Sequence, residues 1–240
     1  GAQLIPLWDS SRLIALFDPQ TPFESSIAES AAAAGLAVAP PFSVVEVAEQ
    51  NWVQLTQSQF EPIRINGRLW IVPSWHAAPD IAAINLVLDP GMAFGTGSHP
   101  TTRLCLEWLC QQVQADADVL DYGCGSGILG IAAAKLGALH VTGVDIDAQA
   151  LAAARDNAAR NEVALYFLHS SQMLNEQFDW VIANILTNPL CVLAPLLAER
   201  VKPGGSLALS GVLDSQAQQV IAAYAPYLRL EVHATLDGWV

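Results

Sequence analysis

The segment Asp121-Tyr122-Gly123-Cys124-Gly125-Ser126-Gly127 follows a β-type apolar run and opens a helical one, so three glycines fall where a strand hands over to a helix. Glycine lets a backbone turn sharply and pass close to a nucleotide-like ligand at the carboxyl end of a strand. Gly125-Ser126-Gly127-Ile128-Leu129-Gly130 also satisfies the Gly-x-Gly-x-x-Gly spacing of dinucleotide-binding folds, with the acidic Asp145 further on. That spacing alone leaves the ligand class open.

Two carboxylates bear on the choice. Asp121 closes the strand before the loop, where it would repel a pyrophosphate but can meet the cationic amino group of a methionine moiety, directly or through water. This favours S-adenosylmethionine over a nicotinamide dinucleotide. Asp145, in Gly143-Val144-Asp145-Ile146-Asp147, closes the next strand, and an acceptor-only carboxylate there can take both ribose hydroxyls of either cofactor. Asp147 is the better cap for the following helix, which leaves Asp145 for the ligand.

Two further segments frame the loop: Leu88-Asp89-Pro90-Gly91-Met92-Ala93-Phe94-Gly95-Thr96-Gly97-Ser98-His99-Pro100-Thr101-Thr102 before it, and Asn184-Ile185-Leu186-Thr187-Asn188-Pro189-Leu190 after the fourth strand. With Asp121–Gly127 they closely resemble the methyltransferases that modify large-subunit ribosomal protein L11, from about Asn51 to Val240. The resemblance implies a Rossmann-like, doubly wound methyltransferase sheet with a small N-terminal α+β domain. It implies transfer of a methyl group from S-adenosylmethionine to lysine side chains or the N-terminal amine of a ribosomal protein, in the cytoplasm. It also implies cofactor contacts at Thr102, Gly123, Asp145 and Asn184, to which the reading of the loop adds Asp121 and Gly125. Thr102 suits its place, because a hydroxyl and free backbone amides at a helix N-terminus can hold a carboxylate; one of Thr101 and Thr102 is expected only to cap. The family pattern continues past Val240 through a last strand, and an opening strand and helix of the N-terminal unit have no counterpart here. These departures bear on substrate recognition and on how the sheet finishes.

Methyl transfer from a sulfonium is an in-line displacement, so the protein must hold a neutral nucleophile about 3–3.5 Å from the methyl carbon. A lysine amine, with an ordinary pKa of about 10.4, must be selected or generated in its neutral form. Asn184, at a strand's carboxyl end, is the candidate catalytic residue: its side-chain carbonyl can accept a hydrogen bond from the amine and aim its lone pair. The competing use is a turn residue satisfying its own backbone. His99, before Pro100, is expected to make a structural hydrogen bond, and Cys124 to serve only as a small residue. Phe94 either walls the methyl or holds its loop to the core. Trp52, Trp70 and Trp75 are expected to pack, and the turn Ser170–Met173 to border the adenine.

The elements that must position these residues alternate. Strands are predicted at Val119–Asp121, Val141–Asp145, Leu165–Leu168, Trp180–Asn184, Leu207–Ser210 and Leu228–Ala234, with helices starting near Thr101, Ser126, Ala148, Pro189 and Asp214. This methyltransferase domain is placed at residues 86–240, a connector with an Asn66-Gly67 hairpin at 51–85, and a small, shortened substrate-recognition unit at 1–50, with strands at Leu4–Trp8 and Leu13–Phe17, a helix over Pro22–Gly35 and a β-rich run at Val44–Val47.

Composition narrows the classes. With 52% hydrophobic and 14% charged residues the 240-residue chain is globular rather than disordered, and no apolar run reaches the length of a membrane span. Four cysteines without metal-ligand spacing fit free thiols in a reducing cytoplasm, and no metal is expected. A net charge of −13 disfavours direct nucleic-acid binding and suits a basic partner, or serves solubility alone. Three alternatives stay open: a methyltransferase for another protein or a small-molecule amine, a cofactor-binding protein without turnover, and a dehydrogenase. Asn184 with the segment before the sheet argues against the second; Asp121 and the lack of a hydride-relay pair argue against the third.

Overall fold

The computed structural model describes residues 22–44, 60–89, 97–113, 115–172 and 175–240. The expected strands Leu4–Trp8 and Leu13–Phe17, most of Val44–Val47, and Trp52, Phe94 and Met173 lie outside them. The chain divides into two compact units, Gly1–Gln50 and Asn51–Val240. Within the first, helix α1 spans Phe23–Ala33, and Phe23 meets Phe42 edge-on at 6.4 Å.

The second unit opens with strands β1 (Ile63–Arg64), β2 (Leu69–Val72) and β3 (Ile84–Val87). β1 and β2 form the antiparallel hairpin, whose turn is closed by Asn66 Oδ1 accepting from the amides of Arg68 and Leu69. β3 lies parallel to β2, so the hairpin shares its three-stranded sheet with residues on both sides of position 86 and is part of the larger unit.

The remaining elements alternate as the sequence predicts. Helix α2 (Pro100–Gln112) precedes β4 (Asp118–Tyr122), α3 (Ile128–Leu136), β5 (His140–Asp145), α4 (Ala148–Arg160), β6 (Tyr166–His169) and β7 (Phe178–Asn184). Short helices α5 (Thr187–Val192) and α6 (Ala194–Glu199) lead to β8 (Val201–Ser210), a 3₁₀ turn at Asp214–Gln216 and α7 (Ala217–Tyr224). Strands β4 to β8 form one parallel sheet in the order β6-β5-β4-β7-β8. Period-two alternation sends Val119 and Ile182 to a core with α2, α3 and the β2–β3 residues Leu69, Ile71 and Leu86, while Leu120, Val181 and Ala183 face the core under α5, α6 and α7. Apolar side chains on both faces bury the sheet between two helical layers, as an all-parallel sheet requires.

One predicted strand is absent. Leu228–Ala234 has the alternating pattern of a strand but no ladder partner among the described residues, and it is irregular. Leu230–Ala234 instead face Leu207–Ser210 of β8 across an apolar cleft also lined by Leu104, Cys105 and Trp108. A pattern specifies which side chains are buried, not whether a neighbour lies within hydrogen-bonding distance.

Asn161, just past α4, ties that helix to the three-stranded sheet. Its Oδ1 accepts from Val87 N at 2.8 Å and its Nδ2 donates to Val87 O at 2.7 Å, so a 2%-exposed side chain pairs with β3 as a strand residue would. Asn161→Ala leaves both groups of Val87 without that partner, and a buried unpaired group costs about 1–3 kcal/mol. Urea unfolding of the variant should show at least that loss; a midpoint equal to the parent's would mean that water replaces the amide without cost.

Candidate active site

In an open parallel sheet the crevice forms where strand order reverses. Here the reversal lies between β4, followed by its neighbour β5, and β7, which enters on the other side of β4. The loops after β4 and β7 therefore meet at the carboxyl edge. They are in contact: a Cβ on Gly123, whose φ is +77°, would lie 2.3 Å from Cγ2 of Ile185. Gly211, after β8, is constrained from the other side, since with φ at +83° its Cβ would fall 2.3 Å from the carbonyl oxygen of Ile185.

The glycine loop is held by β5 and its end. The amides of Gly123 and Cys124 both donate to Val144 O, at 2.7 and 3.0 Å, and Gly125 N donates to Asp145 Oδ2 at 2.8 Å. Asp145 Oδ1 accepts from Asp147 N at 2.9 Å. A carboxylate oxygen has two lone pairs, so each oxygen of Asp145 keeps one acceptor position after fixing the loop. Asp147 caps α4 through Gln149 N, the division of labour expected from the sequence. Asn157 on α4 reaches under the loop, Nδ2 donating to Ser126 O at 2.9 Å.

Asp121 is 1% exposed. Its Oδ2 accepts from Gly130 N at 2.9 Å, while Oδ1 has no hydrogen-bond partner among the described residues. Burial pushes the carboxyl up from 3.8 to about 7, the Gly130 amide opposes this, and the Asp145 charge adds to it. A buried carboxylate with one oxygen unpartnered suits a cationic group, and the acceptor positions of Asp145 suit a diol. This set of acceptors fits S-adenosylmethionine. A Cβ on Gly130 would lie 2.8 Å from Cδ2 of Leu165, so that side-chain end would have to shift. The Cys124 thiol, buried beside Leu151 and Ala154, is pushed well up by burial, which keeps it protonated.

Across the crevice, α2 starts at His99, whose Nδ1 accepts from Thr101 N at 3.3 Å and lies 2.8 Å from Thr101 Oγ1. His99 thus caps the helix, and Trp239 packs edge-on against its ring at 4.9 Å. Thr101 is used in that cap; Thr102, equally buried, accepts from Nδ2 of Asn184 at 3.4 Å. Tying the amide nitrogen of Asn184 to Thr102 leaves its carbonyl as the acceptor. The structure therefore brings Thr102 beside Asn184 and links Asp145 to Gly125, with Asp121 and Gly123 in the same strand-and-loop segment. Trp70 and Trp75 are half-buried, with Arg64 over the Trp70 ring at 5.8 Å.

Comparison with known proteins gives the family. The model of the ribosomal protein L11 methyltransferase family (PrmA) matches residues 2–240. The chain belongs to this family. It is 59% identical over 240 residues to a protein named ribosomal protein L11 methyltransferase from Dechloromonas aromatica, covering all of this chain and 81% of that relative. A relative of the same name from Thiobacillus denitrificans is 56% identical, over 98% of this chain and 79% of its own length. The crystal structure of a ribosomal protein L11 methylase from Lactobacillus delbrueckii subsp. bulgaricus superposes with a TM-score of 0.70 at 32% identity, covering 75% of this chain and 95% of that one. The chain is an S-adenosylmethionine-dependent methyltransferase with the Rossmann-like sheet of that class. Among the described residues no cluster of His, Cys, Asp or Glu is placed to hold a metal, and no helix is long and apolar enough to cross a membrane.

Sequence reasoning missed Gly211, Asn157 and His169. Gly211 directly follows a strand, and Asn157 stands four residues before Asn161 on an alanine-rich helix; both signals are visible once those partners are known.

The raised carboxyl of Asp121 gives a pH dependence with a definite sign. In the ligand-free protein its folded value lies above the unfolded 3.8, so ionising it costs stability as pH rises from 3.8 through about 7. A cationic ligand group favours the ionised form, so affinity must rise over the same range. S-adenosylhomocysteine should bind about tenfold more weakly at pH 6 than at pH 7.5 by calorimetry, and Asp121→Asn should flatten the profile. A parent profile that is already flat would separate Asp121 from the ligand.

Proposed function

We propose that this chain methylates amino groups of ribosomal protein L11, on lysine side chains or the N-terminal amine. S-adenosylmethionine supplies an electrophilic methyl group on a sulfonium. The chain's own residues bind and orient. Asp145 offers two acceptor positions to the ribose, Asp121 a buried anionic oxygen to the amino group, and Thr102, through its hydroxyl and backbone amide at the start of α2, a seat for the carboxylate. The backbone at Gly123 and Gly125 passes beneath the ligand without a Cβ to exclude it.

The observation that carries the reading is the Asn184–Thr102 contact at the switch point. With the Asn184 amide nitrogen given to Thr102, the carbonyl, an acceptor only, is the group left to take an N–H from the incoming amine. An ammonium has no free lone pair; a neutral amine donating to Asn184 has its lone pair directed away from that bond. Desolvation within the crevice favours the neutral form, since burial lowers an amine's pKa. The net charge of −13 complements a basic substrate protein and speeds its encounter. The smaller unit, residues 1–50, is the proposed recognition element.

Incubating the chain with isolated ribosomal proteins and labelled cofactor, then reading methylation by mass spectrometry, should find the label on L11. Label confined to a different protein would redirect the substrate assignment. Asn184→Ala should lower turnover at least a hundredfold, the scale of an approximately 1 Å positioning error, with a much smaller loss of S-adenosylhomocysteine affinity. Equal losses in rate and affinity would make Asn184 a binding residue only.

A further inference from the structure

We propose that His169 is a positioning residue for Asp145, acting through the peptide group between Ile146 and Asp147; the inference rests on the reading of Asp145 as the ribose acceptor. β5 and β6 run parallel with Asp145 directly opposite His169, so the loops that leave them start side by side at the carboxyl edge. The His169 ring spans both. Its Nδ1 lies 3.2 Å from Ser171 N and 2.7 Å from Ser171 Oγ, and its Nε2 lies 2.9 Å from the carbonyl oxygen of Ile146.

The partners fix the tautomer. An amide N–H can only donate, so Nδ1 accepts from Ser171 and carries no proton; a carbonyl can only accept, so Nε2 carries the proton and donates it to Ile146. The same peptide group then acts at its other end. The carbonyl that receives the His169 proton belongs to Ile146, and the N–H of that peptide, on Asp147, donates to Asp145 Oδ1 at 2.9 Å. His169, the planar peptide and Asp145 thus form a continuous relay of two hydrogen bonds, in which holding the carbonyl holds the plane and holding the plane aims the carboxylate. Asp145 Oδ2 is fixed separately by Gly125. Without His169, Asp145 keeps that bond but its second oxygen turns with a peptide exposed to water beside Ile146, which is 78% exposed.

Two substitutions divide the two ends of the ring. Glutamine places its amide nitrogen near the former Nε2, and asparagine places its amide oxygen near the former Nδ1. His169→Gln should preserve the bond to Ile146 and bind S-adenosylhomocysteine within about twofold of the parent, whereas His169→Asn should bind about five- to tenfold more weakly. Its turnover at saturating cofactor should match the parent's, so KM for the cofactor moves and kcat does not. A purely structural role, holding the turn at residues 169–172 through Ser171, predicts the reverse order and would overturn the inference. So would parent-like binding by both variants. Asp145→Ala measured alongside separates the two readings. If it binds like the parent, the ribose assignment itself fails. If it weakens binding at least tenfold while neither His169 variant does, only the relay fails. In the double variant Asp145→Ala/His169→Asn the second change should add less than twofold, because its target is gone.

Discussion

Two strand-end carboxylates hold the glycine segment from both sides, and the site depends on that pair of contacts. Asp145 takes the amide of Gly125 and Asp121 takes the amide of Gly130, so the turn from β4 into α3 is pinned at its middle and in the first turn of its helix. Both acceptors are charged when ionised, and charge-assisted bonds to backbone amides are about twice as strong as neutral ones. Glycine is required where the turn crosses its neighbour, at Gly123, whose φ is +77°, against Ile185. The carboxylates that build the loop are also the groups proposed to meet the ligand: three of their four oxygens accept backbone amides, and Asp121 Oδ1 has no partner among the described residues.

The opposite wall is built differently. Asn184 and Thr102 come from β7 and α2, 82 residues apart, and meet through a single long hydrogen bond. Their placement is enforced by packing around them: His99 caps α2 with Trp239 against its ring, and Gly211 leaves room for the Ile185 carbonyl immediately after Asn184. A rigid loop on one side and a packed, weakly bonded pair on the other suit a site that must hold one ligand firmly and admit a second, the amine, beside it.

Much of this was legible in the sequence for a physical reason. Strand-end carboxylates, glycines at a strand-to-helix turn and a cap such as Asp147 are local features, each specified within a few residues. The hairpin at Asn66-Gly67 and the five parallel strands follow from patterns of the same range. What escaped is non-local. Asn161 replaces a strand partner for a residue 74 positions away, and His169 acts on Asp145 through a peptide 23 positions upstream. Leu228–Ala234 shows the converse, a local pattern without the partner that would make it a strand. Gly211 is an ordinary strand-ending glycine until the Ile185 carbonyl is placed against it.

We infer that Asp121 turns a glycine pattern shared with dinucleotide-binding folds toward a cationic amino-acid ligand. Asp145 serves either cofactor, so the distinction rests on the buried carboxylate beneath the loop. The direct test is a pair of calorimetric titrations of the same protein at neutral pH, one with S-adenosylhomocysteine and one with a nicotinamide dinucleotide. Saturable binding of S-adenosylhomocysteine is expected, with no measurable heat of binding for the dinucleotide, whose pyrophosphate meets the charge of Asp121. Tighter binding of the dinucleotide would contradict it.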